Sequence, residues 1–485
     1  MEEQLWKACG DGKVKKVIEL LQNEQININW QDSEYSSTPF WIACYEGQIE
    51  IVKLLLSGSR VDINKANKNG ATPFYIACQN GQFEVVKLLL NHNRRVDLNK
   101  TRYGGFSPFY IACDLEHIEI VKLLLNDERV DTNNPTNDAS TPFLIACGKG
   151  HIEIVKLLLI YKRIDINKAF NTGATPFYIA CQNGHIEIVK LLLNDKRVDM
   201  NKATNKDRET PFFIACYYGH IEIIKLLLND RRIDINKATN NCWTPFNNAC
   251  YYGHIEIVKL LLNEENIDIN KAFNTATPFF IACEKGHIEI VKLLLNDGRV
   301  DFNKTRDGGV TPFHIACYYG RTEIVKLLLN DDRIDVNKTR NTGIAPFYIA
   351  CYNRDIEIVK LLLNDPRVDV NKANGDGETP FYIACREGHI EIVKYLLASG
   401  REIDINKKDD YGKTGLYWAR KREKTEVSEE KFQERKKIVE LIESFERNLN
   451  ETRTKLRIQL GLAGKSFIYN FIFIFNFLFS SIISI

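Results

Sequence analysis

The chain has almost no net charge. Its 65 Lys and Arg nearly cancel 63 Asp and Glu across 485 residues, so no field of one sign is present to draw in nucleic acid or an anionic substrate. The first residues, MEEQLWKACGDGK, are partly acidic and lack an apolar core, and no signal peptide is expected. A phosphate-binding loop is missing too. Gly461-Leu-Ala-Gly-Lys-Ser466 has Gln459 where the motif needs Gly, and no strand precedes it. Most histidines come one per repeat at roughly 34-residue spacing, which is no metal cluster and suits structural hydrogen bonding. No Ser/His/Asp or Cys/His set stands apart from a background that recurs about ten times. No catalytic, cofactor-binding or metal-binding residue is assigned, and the chain reads as a non-enzyme.

Proline is scarce, the 13 cysteines are enough to raise the question of disulfides or metal, and the placement of both is informative. Eleven of the 13 prolines follow one recurring residue, at Thr38, Thr72, Ser107, Thr141, Thr175, Thr210, Thr244, Thr277, Thr311, Ala345 and Thr379. These starts are 33 to 35 residues apart. A fixed period of this size marks a repeat array, in which one supersecondary unit buries its apolar face only against its neighbours. The array overrides the prior of about three domains that length alone would give. Twelve of the 13 cysteines directly follow Ala at one place in the unit, and only Cys242 departs from it. Equivalent residues on stacked helices sit roughly 8–10 Å apart, beyond the ~7 Å that a disulfide spans. These cysteines therefore read as small buried hydrophobes in a cytoplasmic protein.

Each part of the unit has a physical reading. The initial Thr caps a helix whose first residue is Pro, and Phe-x-Ile-Ala-Cys supplies its buried side. A Gly such as Gly184 or Gly286 turns the chain through a left-handed conformation. His-Ile-Glu-Ile-Val-Lys-Leu-Leu-Leu forms a second helix with an apolar stripe and a Glu–Lys pair such as Glu187 and Lys190. The closing Val-Asp-Ile-Asn-Lys…Gly stretch is extended and then turns.

The pattern TPF-x-x-A-C-x-x-G-H-x-E-I-V-K-L-L-L…D-x-N…G resembles the ankyrin repeat over about 85 per cent of the chain. The resemblance implies an all-α repeat solenoid of helix-turn-helix units with β-hairpin loops, stacked into a curved array. Three departures recur: Phe replaces Leu after Pro, an aromatic usually replaces the following His (only His314 keeps it), and most units carry an extra residue after Leu-Leu-Leu. The expected organisation is an N-terminal capping repeat over 1–37 and eleven ankyrin-like repeats over 38–413. A C-terminal capping repeat with a charged insertion follows over 414–447, then a basic linker over 448–466.

Residues 467–485 form a hydrophobic tail. FIYNFIFIFNFLFSSIISI carries no charge, and as a helix its 19 residues would span about 28 Å, near the ~30 Å hydrocarbon core. Arg453, Lys455, Arg457 and Lys465 precede it, the pattern of a tail anchor with a cytosolic array. A read-through product of AT-rich DNA and an aggregation-prone β-segment stand as alternatives.

Positions that vary between repeats are released from stacking. The freest are the two residues after Ala-Cys and the loop before Thr-Pro, which line the partner-binding face in the family that the chain resembles. Tyr217, Tyr218, Trp243, Tyr251, Tyr252, Tyr318 and Tyr319 are expected to form a protein-binding surface, because Tyr and Trp combine large contact area with a polar handle. Recent repeat duplication would also place Tyr-Tyr in several units. The leading reading is a monomeric interaction scaffold with protein partners, without nucleic acid or cofactor. A membrane-tethered adaptor held by the tail, and a regulatory subunit of an enzyme or channel complex, are the alternatives. Asn248 stands where every other full unit has Ile, so it is either hydrogen-bonded into the next repeat or marks a soft unit. Glu116 and Arg354 replace the inter-helix Gly at about 1 kcal/mol each, and faster exchange is expected near Asn248 and Arg354.

Overall fold

The structure is a computed structural model that describes residues 1–92, 96–421 and 429–463. The hydrophobic tail and most of the charged insertion lie outside the described residues. Twenty-seven α-helices and one short 3-10 turn occur among them, and the chain divides into two compact units, Met1–Asn248 and Ala249–Ile485.

In both units the local rules of the repeat operate as read. The hydroxyl of Thr141 accepts from the Leu144 N–H at 3.2 Å, and Pro142 occupies the first turn of helix Pro142–Lys149. The same cap recurs at Thr38, Thr72, Ser107, Thr175, Thr210, Thr277, Thr311 and Thr379. Ala345 has no hydroxyl and makes no such bond. The second helices run Ile-x-Ile-Val-x-x-Leu-Leu, so Ile188, Val189 and Leu192 fall on one face and are fully buried. Each such side chain contributes about 1.5–3 kcal/mol by leaving water. Within each unit, first helices pack on first helices of the next repeat and second helices on second helices.

All twelve cysteines that follow Ala are buried and free, and burial raises their thiol pKa values, Cys9 to about 12. Cys242 alone is exposed. The loops between repeats are short turns. In one, Gly70 N–H donates to Asn67 O at 2.9 Å and Asn67 N–H to Ala71 O at 3.0 Å. Two isolated bridges, Phe273 with Ala276 and Lys408 with Thr414, are the β pairings among the described residues.

Three side-chain ladders tie neighbouring repeats together inside each unit. The His opening the second helix reaches back to a carbonyl of the preceding repeat, as His220 does to Gln182 O at 2.9 Å. Its ring lies on the preceding Gly: a Cβ on Gly184, at φ 78°, would stand 2.9 Å from His220 Cε1. The Asn of Asp-x-Asn bridges forward. Asn167 donates to Arg197 O at 2.7 Å and accepts from Asp199 N–H at 2.9 Å. The extra residue after Leu-Leu-Leu belongs to the third ladder. Arg197 forks onto Asp195 and donates at 2.9 Å to Leu159 O at the end of the preceding second helix. Arg129, Arg163, Arg232, Arg299, Arg333 and Arg367 cap preceding helices in the same way. These carbonyls would otherwise be orphans of a helix end.

The stretch expected to be a basic linker holds helix Leu449–Gln459, capped by Asn448. Its charges have a structural use. Arg453 donates to Leu397 O at 3.2 Å and Arg457 to Ala398 O at 3.3 Å, so the pair stands in for the capping Arg that a further repeat would supply. Helix Glu429–Arg447 covers the last full repeat, with Lys431 on Glu387 at 2.8 Å and Arg435 on the Arg386 carbonyl.

Candidate functional site

With caps, apolar stripes and ladders accounted for, the side chains left over lie mainly on the first helices and loop arms. The second of the two residues after Ala-Cys points outward in most repeats, and where the pair is Tyr-Tyr both rings meet. In the first unit Tyr217 and Tyr218 are 38% and 50% exposed, with centroids 5.0 Å apart in an edge contact. In the second unit the pair Tyr251–Tyr252 (4.9 Å) and the pair Tyr318–Tyr319 (5.1 Å) repeat that geometry. Tyr252, Tyr318 and Tyr319 are exposed, while Tyr251 is half-buried under Lys285, whose Nζ is 4.2 Å from the ring centroid.

The rings also have local packing duties. Tyr218 stacks on His220 and Tyr252 on His254, each at 6.1 Å. Trp243 follows the tip of its loop. It is half-buried on the returning arm, where its carbonyl accepts from Thr239 N–H at 3.0 Å, and the exposed tip is Asn241–Cys242. Cys242 takes the left-handed turn there at φ 62°. The six tyrosines thus form adjacent pairs within each unit.

A neighbouring feature of the first unit was not singled out in the sequence. Loop residues Phe170, Asn171, Lys206 and Glu209 with first-helix residues Tyr178 and Gln182 line an open cleft of about 560 Å³. Tyr178 donates to Glu209 at 2.8 Å, and burial together with that carboxylate pushes its phenol pKa up. Comparing the residue before each start across repeats (Ser140, Glu209, Glu378) could have revealed it. In the second unit Tyr318 lines a cleft of about 690 Å³ with Asn353, Arg354, Glu357, Lys360 and Tyr395. Among the described residues no group of His, Cys, Asp and Glu is placed to hold a metal ion.

A family model described as ankyrin repeats (3 copies) matches residues 2–67, 59–135, 128–204, 194–273, 266–340 and 347–429. The chain belongs to the ankyrin-repeat family. A second model, ankyrin repeats (many copies), matches 319–363. Comparison with curated proteins gave no match. Ankyrin repeats are in general non-catalytic modules of protein–protein interaction. The paired-helix array with contacts between neighbouring repeats is the ankyrin arrangement. Among the described residues no helix is long and apolar enough to cross a membrane.

Proposed function

We propose that this ankyrin array is a binding scaffold that engages protein partners through first-helix pairs and loop arms in each unit. Tyr217 and Tyr218, with Trp243 beside the loop tip, serve the first unit. Tyr251, Tyr252, Tyr318 and Tyr319 serve the second. The observation that carries the reading is that five phenol rings of these pairs stand at 38–50% exposure on the first helices. Such rings lose little conformational entropy on binding and rank high among interface hot spots. Capture of partners by the full chain, quantified by mass spectrometry, tests this reading with the double variant Tyr318→Ala/Tyr319→Ala. Loss of most captured partners is expected, and an unchanged set would overturn the reading.

The tethered-adaptor reading is supported by the uncharged sequence of residues 467–485. Deleting those residues should then move the protein from the membrane to the soluble fraction. An identical distribution with and without them would remove that reading.

A further inference from the structure

At several junctions the residue after Pro-Phe reaches from the first helix into the loop of the following repeat, and what it meets there differs. Tyr110 meets Ser140 at 3.2 Å, Tyr178 meets Glu209 at 2.8 Å, and Tyr348 meets Glu378 at 2.6 Å. Tyr382 meets Asp409 at 2.6 Å. The acceptor comes from one of two places: the residue directly before the next start, or the residue five before it. At the His314 junction both places lack one, for Ile344 fills the first and Arg340 the second.

The consequence is a set of polar atoms without partners. His314 is 1% exposed, and neither ring nitrogen has a hydrogen-bond partner. The Nε of half-buried Arg340 is likewise buried and unpaired. Burial, with Arg340 beside the ring as the second cause, pushes the imidazole down to about 4. The ring is therefore neutral and gives Arg340 no counter-charge. Arg306, in the matching place one repeat earlier, has an internal carboxylate, Glu284 Oε1 at 3.8 Å. The residue matching Glu284 at the next junction is Tyr318, exposed and one helical turn past His314.

We propose that Arg340, backed by His314 and Tyr318, is the receiving site for a side-chain carboxylate on an acidic segment of a protein partner. This rests on the protein-binding reading above and names its chemistry. A guanidinium offers a planar fork that matches a carboxylate, and this junction supplies neither acid nor hydroxyl while leaving both ring nitrogens of a buried imidazole unpaired.

The test pans the full chain against a random peptide library on phage, then compares wild type with R340Q, I344E and R306Q. Peptides recovered by the wild type should carry Asp or Glu at one fixed position. Neutralising that residue, or R340Q, should each weaken binding about tenfold or more, and the two losses should not add. I344E should weaken binding similarly while leaving Arg340 in place. Glu378 accepts from Asn374 at 3.1 Å in the matching places, so a Glu at 344 can occupy Arg340 from within. R306Q, which changes charge by the same amount, should alter affinity less than about twofold, since Arg306 already has its carboxylate. Recovered peptides with no fixed acidic position, or equal losses in R340Q and R306Q, would overturn the inference. A library that yields no binding peptide at all would defeat the surface reading itself.

Discussion

Asn248 and His314 are buried where most other repeats have an apolar or hydrogen-bonded side chain. Asn248 is fully buried with both amide atoms unpaired, whereas Asn247 folds its Oδ1 back onto the Thr244 N–H at 3.0 Å. Asn248→Ile should therefore raise stability by about 1–3 kcal/mol, read as a higher midpoint in chemical denaturation, and a lower midpoint would contradict the account. For His314 the sign follows from protons bound. The folded ring has its pKa lowered from 6.5 to about 4, so between those values the unfolded chain binds a proton that the folded chain refuses. Its contribution is complete above pH 6.5 and falls as pH drops toward 4, by up to about 3 kcal/mol. His314→Phe should flatten that part of the stability profile, and a variant with the wild-type profile would show that His314 is not its source. The oddity of Asn248 was legible in the sequence, because ten Ile residues stand in its place elsewhere. That of His314 was not, since it depends on Arg340 and Ile344 in the next loop.

At the level of helices and loops, legibility followed the sequence distance of each interaction. The Thr-Pro cap closes within three residues, and the apolar stripe within two turns, so both could be read directly. Asp-x-Asn and Asp-x-Arg look like loop filler within one repeat. Their partners lie about one repeat away, as Arg299 with Leu262 O at 2.7 Å and Glu264 O at 3.0 Å shows. The extra residue after Leu-Leu-Leu thus lengthens the loop so that an Arg can cap the preceding helix. Arg299→Lys keeps the charge and loses the fork onto Asp297 and the two carbonyls. A local cost of about 1–2 kcal/mol is expected, seen as faster amide exchange at 296–301 with little change in the first unit; equal protection would contradict the capping role. The same device explains helix Leu449–Gln459, whose mixed charges read as a linker until Arg453 and Arg457 are placed on helix-end carbonyls.

For the whole array, stability is a sum of repeat and nearest-neighbour terms, so weak units should show as local minima of protection. Glu116 and Arg354 do adopt the left-handed turn, at φ 60° and 62°, a strain of about 1 kcal/mol each. Arg354 recovers part of it by pairing with Glu434 at 3.1 Å. Amide exchange should be faster around Asn248 and Arg354 than in the flanking repeats, and uniform protection along the array would refute this. The ankyrin fold was legible at this scale because its period, caps and stripes all agree. The partner was not, because the variable positions carry chemistry without identity. The proposed binding surface is made of exposed tyrosine pairs. Chemical labelling of tyrosines in the partner-bound full chain tests it most directly. Tyr103 and Tyr411, 72% and 82% exposed and outside the pairs, provide the internal reference. The account expects Tyr217, Tyr218, Tyr252, Tyr318 and Tyr319 to lose reactivity on binding while Tyr103 and Tyr411 keep theirs; pairs that stay as reactive as in the free chain would contradict it.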